Sequence, residues 1–196
     1  MTLDALLERS RRILDGARHL TLATSSPDGR PWSTPLHYVW LPDPLRLLFT
    51  SVVDSRHGRD IAARPTVSGS LVVTGPLSTV DGELPSTVDS TVDAGVETTA
   101  AEDGAQFTAT CVEVPPAEVD HYHDRFFGTL FPDPAVRQRW ALPPTAFRAP
   151  APHRLYLATV RQWWVPDLAG WVRDRVDRRL EVPVQALPGP RGTGVS

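Results

Sequence analysis

The sequence predicts a mainly β fold with helices (α+β): a six-stranded antiparallel barrel carrying helical decoration. Two observations support this. Six short segments rich in Val, Leu, Thr and aromatic residues are separated by Gly, Pro, Asp and Ser clusters. A helical pattern opens the chain and others fall between strands, which suits a decorated barrel better than a parallel sheet. No Gly-x-Gly-x-x-Gly or Walker-type loop follows any strand, and this disfavours the nucleotide-binding parallel folds.

Leu3, Leu6, Leu7, Ile13 and Leu14 recur at helical spacing among Arg and Glu, predicting a helix over 3–15 that stops at Gly16. His19 to Thr24 is a short strand. Ser26-Pro27-Asp28-Gly29 is turn chemistry, with glycine supplying positive φ, and it leads into a strand from Trp32 to Trp40. Pro42-Asp43-Pro44 turns the chain into a third strand, Leu45 to Thr50. Asp54 or Ser55 caps a helix that runs to Ala63 and is closed off by Pro65. Thr66 to Thr74 is the fourth strand. Its Ser68, Gly69, Ser70 and neighbouring Gly75 imply close approach by another backbone or a flat ligand.

Residues 76–104 hold seven acids, no base and two successive Ser-Thr-Val-Asp repeats (86–89 and 90–93). They read as a loop insertion, either solvated or serving as a lid or dimer arm. Strands return at 106–114 and 154–165, with helices at 117–130 and 134–140 between them. Residues 185–196 are Gly- and Pro-rich and read as a flexible tail, leaving 1–184 as a single domain.

Composition narrows the chemistry. All 20 basic residues are arginine, so no lysine exists to form an internal aldimine. A net charge of -3 without a basic stripe argues against a nucleic-acid partner. No apolar run approaches the ~18 residues of a membrane span. Met1-Thr2-Leu3-Asp4 lacks the basic start and apolar core of a leader, so a cytoplasmic location is expected. A single cysteine, Cys111, excludes an intramolecular disulfide, and its mid-strand position suggests packing.

Some constellations can be set aside. His121 and His123 are two apart, so on a helix they point to different faces and do not chelate together. Ser33, Ser55 and Ser68 lack a Gly-x-Ser-x-Gly setting for a hydrolase. His37 lies between Pro35 and Val39 on one strand face, and is open to two readings: interior histidine or active-site donor.

The block from 29 to 68 joins Gly29, Pro31 and Trp32; Thr34-Pro35; Phe49-Thr50-Ser51; Ser55-Arg56-His57; and Ile61, Arg64-Pro65, Val67-Ser68. In that order and spacing it resembles the FMN-binding split barrel of the pyridoxamine 5'-phosphate oxidase-like family. The resemblance implies a homodimer with FMN at the subunit interface and an oxidoreductase acting on a small-molecule substrate. Ser33, Thr34, Pro35 and Leu36 would line the isoalloxazine ring. Thr50, Ser51, Ser55, Arg56 and His57 would hold the phosphate, and Trp164 would reach the flavin from the C-terminal strand, with Arg175 a second candidate there. Arg56 supplies the bidentate fork that a phosphate favours.

Departures from the family pattern matter. The vitamin oxidase has arginine where this chain has Thr34, and lysine where it has His57. The grip on pyridoxine phosphate is not found around Tyr122 and Arg125, so vitamin B6 oxidation is not expected. The same fold family includes deazaflavin F420 and haem binders, which gives an alternative: a binding module without turnover. Arg173, Arg175, Arg178 and Arg179 could meet a deazaflavin tail; His37, His57 or His153 could ligate haem.

Overall fold

The computed structural model describes residues 1–76 and 100–187. Thr2 caps the first helix, α1 (Leu3–Gly16), which buries Ile13 and Leu14 against the sheet. There follow β1 (His19–Ser25), β2 (Pro31–Leu41), β3 (Arg46–Val52), α2 (Arg56–Ala63), β4 (Thr66–Pro76) and β5 (Ala100–Glu113). Next come α3 (Val119–Leu130), α4 (Pro134–Trp140), β6 (His153–Pro166), α5 (Leu168–Asp174) and β7 (Arg179–Glu181).

All pairings are antiparallel, in the order β3-β2-β1-β4-β5-β6, and β3 also pairs with β6. That last pairing closes a six-stranded barrel, the architecture expected from the sequence. Alternation along each strand sorts the side chains. Leu20, Leu22, Tyr38, Leu47, Phe49, Leu71, Phe107 and Trp163 fill the interior. Val39, Leu48, Leu155 and Leu157 face the other way and form a second core with Tyr122, Phe126 and Phe127 of α3. Cys111 is a fully buried member of the barrel core, and burial pushes its thiol up to about 12, which suits packing over reactivity.

The structure extends the sequence reading in three places. First, β5 begins at Ala100, opposite Pro76, so residues 100–104 are strand where loop was expected. The acidity that suggested a loop is accounted for at Asp103, whose carboxylate receives two hydrogen bonds from Arg9 (2.8 and 2.6 Å). The rest of that insertion, 77–99, lies outside the described residues. Second, α5 and β7 extend the β6 edge; β7 spans only three residues, too few to show a period. Third, Val184–Ala186 form a single 3-10 turn, and Val184 and Leu187 pack on the barrel core. Residues 188–196 of the expected tail lie outside the described residues.

Candidate functional site at the split between β2 and β3

The barrel opens where β2 and β3 part. Their pairing ends at Tyr38 and Phe49. Beyond that point, among the described residues, Pro31 to His37 pair only with β1, and Thr50 to Val52 pair only with β6. One edge of β2 therefore presents its backbone polar groups to a gap without a strand partner.

The start of α2 faces this gap. Ser55 caps α2, its hydroxyl accepting from the Gly58 N–H at 3.0 Å. Ser51 Oγ lies 3.3 Å from Ser55 Oγ and shares a hydrogen bond with His57 Nε2. Arg56 crosses to β2: its guanidinium stands 4.8 Å from the Trp32 ring centroid and donates to Pro31 O at 3.2 Å. Asp60, buried on the inner side of α2, accepts from Thr24 Oγ1 at 2.8 Å and ties the helix to β1. Gly58 lets the turn close, because a Cβ there would lie 2.6 Å from Val53 O.

His57 is 8% exposed. Burial lowers its pKa below the ordinary imidazole value, and Asp60 opposes that in part. The unfolded chain then takes up a proton more readily than the folded one. This contribution is fully present above an unfolded value of about 6.5 and is lost as pH falls through the lower folded value. Acidification from about pH 7 to about pH 5 is expected to lower the melting midpoint, and His57→Gln to flatten part of that slope. Melting curves across this range check it; an identical slope in the variant would remove His57 as a source.

The structure brings Ser51, Ser55, Arg56 and His57 together beside the β2 edge. Ser33 to Leu36 form that edge, but their side chains divide. Thr34 and Leu36 face inward with their cross-strand partners Leu22 and Leu20, whereas Ser33 and Pro35 are exposed on the outer face. His37 is exposed on that outer face too, so it is not an interior histidine. Alternation puts Thr50 on the opposite face of β3 from Ser51, leaving its side chain turned away from the Ser51 cluster.

Trp164 stands elsewhere. It lies on β6, two strands from β2 by way of β3, and lines an outer groove of about 570 Å³ with Ser68, Ser70, Gln106 and Arg179 that extends to Thr21 and Ala23 of β1, beside β2. Arg179 is held there by Gln106 Oε1 at 2.9 Å, whereas Arg175 ends α5 in a left-handed conformation and does not line the groove. Sequence reasoning did not include Trp32, Gly58, Gln106 or Arg179 among the flavin-site residues. The small residues of β4 signalled a close approach, and the groove floor is where they lie.

Chemically, two hydroxyls, an imidazole, a guanidinium and the first-turn amides of α2 suit a phosphate monoester. The unpaired β2 edge suits a flat heterocycle read through its carbonyls and ring nitrogens.

Comparison with known proteins agrees with this fold. The family model described as pyridoxamine 5'-phosphate oxidase matches residues 6–147. The chain belongs to the pyridoxamine 5'-phosphate oxidase family. No curated protein matches its sequence.

Solved structures in the fold neighbourhood of this oxidase-family chain differ in what they bind. A pyridoxamine 5'-phosphate oxidase-related, FMN-binding protein from Nostoc punctiforme is 17% identical, with TM-score 0.51, covering 91% of this chain and 87% of its own. A haem-binding protein from Mycobacterium smegmatis is 14% identical, with TM-score 0.56, covering 92% of this chain and 59% of its own. A protein of unknown function from Agrobacterium tumefaciens is 17% identical, with TM-score 0.54, covering 82% of this chain and 56% of its own. This chain thus spans little more than half the length of the last two. At such identities the likeness shows the fold alone.

Proposed function

We propose that this oxidase-family protein binds FMN in the split between β2 and the start of α2, and acts as an FMN-dependent oxidoreductase on a small molecule. The observation that carries the reading is the unpaired edge of β2, Pro31 to His37, set beside the Ser51, Ser55, Arg56 and His57 cluster. The FMN-binding neighbour of the same fold supports it.

In this reading Arg56 leaves the Trp32 ring and forks onto the phosphate, while Ser51 and Ser55 donate neutral hydrogen bonds. His57 enters neutral at pH 7 and gains a proton more easily beside a dianion. Backbone groups of β2 orient the ring and exclude water from one edge. Bound flavin supplies two-electron transfer, which needs no indispensable side-chain base. In a symmetric dimer, the groove of Trp164 and Arg179 on a second copy would close the open side of the site.

A haem-binding neighbour of the same fold supports the alternative, a haem-binding module, to the same degree. Haem asks for an available axial imidazole, and of the three candidates His57, the one beside the split, already has its Nε2 engaged by Ser51.

Arg56→Ala is expected to weaken FMN by ~1.5–3 kcal/mol, roughly tenfold to 150-fold. Fluorescence titration of FMN measures this, and unchanged affinity would remove Arg56 from the site. Turnover is a separate question. Flavin that a nicotinamide donor reduces and a supplied acceptor reoxidises repeatedly marks an enzyme; binding without turnover marks a binding module.

A further inference from the structure

A second site lies on the outer face of β1 and β2, at two side chains that the flavin reading does not use. His19 of β1 and His37 of β2 are directly opposed across the strand pair. Both are exposed, and their ring centroids lie 4.2 Å apart at an interplanar angle of 39°. Two imidazoles held side by side on paired strands form a preorganised chelate, because the sheet has already met the cost of bringing them together.

We propose that His19 and His37 together bind one divalent cation of the imidazole-preferring class, Zn²⁺ or Ni²⁺, and so clasp β1 to β2. A nitrogen from each ring at about 2.0–2.1 Å from a shared metal sets the centroids about 5 Å apart, so the rings need open by about 1 Å. Two nitrogen ligands and no carboxylate suit these ions and disfavour Mg²⁺ and Ca²⁺. Among the described residues no set of three or more His, Cys, Asp or Glu is placed to hold a metal, so water completes the sphere.

The position gives the clasp a purpose. Tyr38, the next residue after His37, makes the last pairing between β2 and β3. From His37 back to Pro31, β1 is the only strand among the described residues that holds β2. A metal at His19 and His37 pins β2 at the mouth of the split and fixes the edge that faces α2.

The test is Zn²⁺ titration of the tag-free full chain by calorimetry, with melting curves alongside. One equivalent is expected to bind at micromolar affinity and raise the melting midpoint. His19→Ala and His37→Ala should each weaken binding at least tenfold. Both positions are exposed, so the variants should keep the wild-type circular dichroism. His121→Ala, at an exposed histidine on α3, should bind as the wild type does. No binding, or binding indifferent to the His19 and His37 substitutions, would overturn the proposal. Because the titration is done without flavin, its outcome is independent of the FMN reading.

Discussion

Arg9→Ala is expected to destabilise the protein by about 3–5 kcal/mol, the range for removing one partner of a buried ion pair. Arg9 is 5% exposed although it lies on a helix facing the sheet. Its guanidinium donates from Nε and Nη2 to Asp103, and from Nη1 to Pro166 O at 2.8 Å. One side chain thus joins α1 to the ends of β5 and β6. Alanine would leave the Asp103 carboxylate, itself largely enclosed, with the Gly104 N–H at 2.7 Å as its remaining hydrogen-bond donor among the described residues. The double variant Arg9→Met with Asp103→Leu should recover much of the loss, since no orphan charge then remains. Urea unfolding reads both. A single-variant cost below about 1 kcal/mol would mean that the pair is solvated and not a clamp.

Trp163→Ala should cost a similar ~3–5 kcal/mol. Trp163 is among the largest fully buried side chains. Its ring stacks near Phe107 with centroids 6.4 Å apart, and its Nε1 donates to the buried Ser10 hydroxyl at 3.0 Å. Truncation opens a cavity in the barrel and leaves Ser10 without this donor. Trp163→Phe should cost less, because most of the volume stays. The neighbouring Trp164→Ala, on the outer groove, should barely change stability. Equal costs at 163 and 164 would contradict the assignment of faces.

That assignment shows where sequence reading stopped. The strands were legible because apolar residues alternate within them, and the turn residues between them mark the ends. In β6, Tyr156, Ala158 and Val160 point inward, so a strict period of two would put Trp164 inside. The pairing with β5 shifts register at Thr108 and Ala109, leaving Arg161 as the extra residue, and the phase reverses so that Trp163 and Val165 point in. One chain residue decides which tryptophan is core and which can meet a ligand. No periodicity announces such a bulge.

The candidate site was legible for a different reason. Ser51, Ser55, Arg56 and His57 lie within seven residues, so a strand end, a turn and a helix cap suffice to gather them. The other wall depends on where β2 loses β3, a long-range event that the residues of β2 do not encode by themselves. Hence Ser33 to Leu36 could be named as a segment, while the inward turn of Thr34 and the outward turn of His37 required the pairing with β1. Trp32 was legible as a motif residue, but its place under Arg56 needed the approach of α2.

The most direct test of the central claim is the visible absorption spectrum of the purified full chain after incubation with FMN and removal of the excess. Bands near ~370 and ~450 nm that stay with the protein are expected for oxidised flavin held at the split. A colourless protein that rejects FMN, or one that carries a Soret band instead, would contradict it.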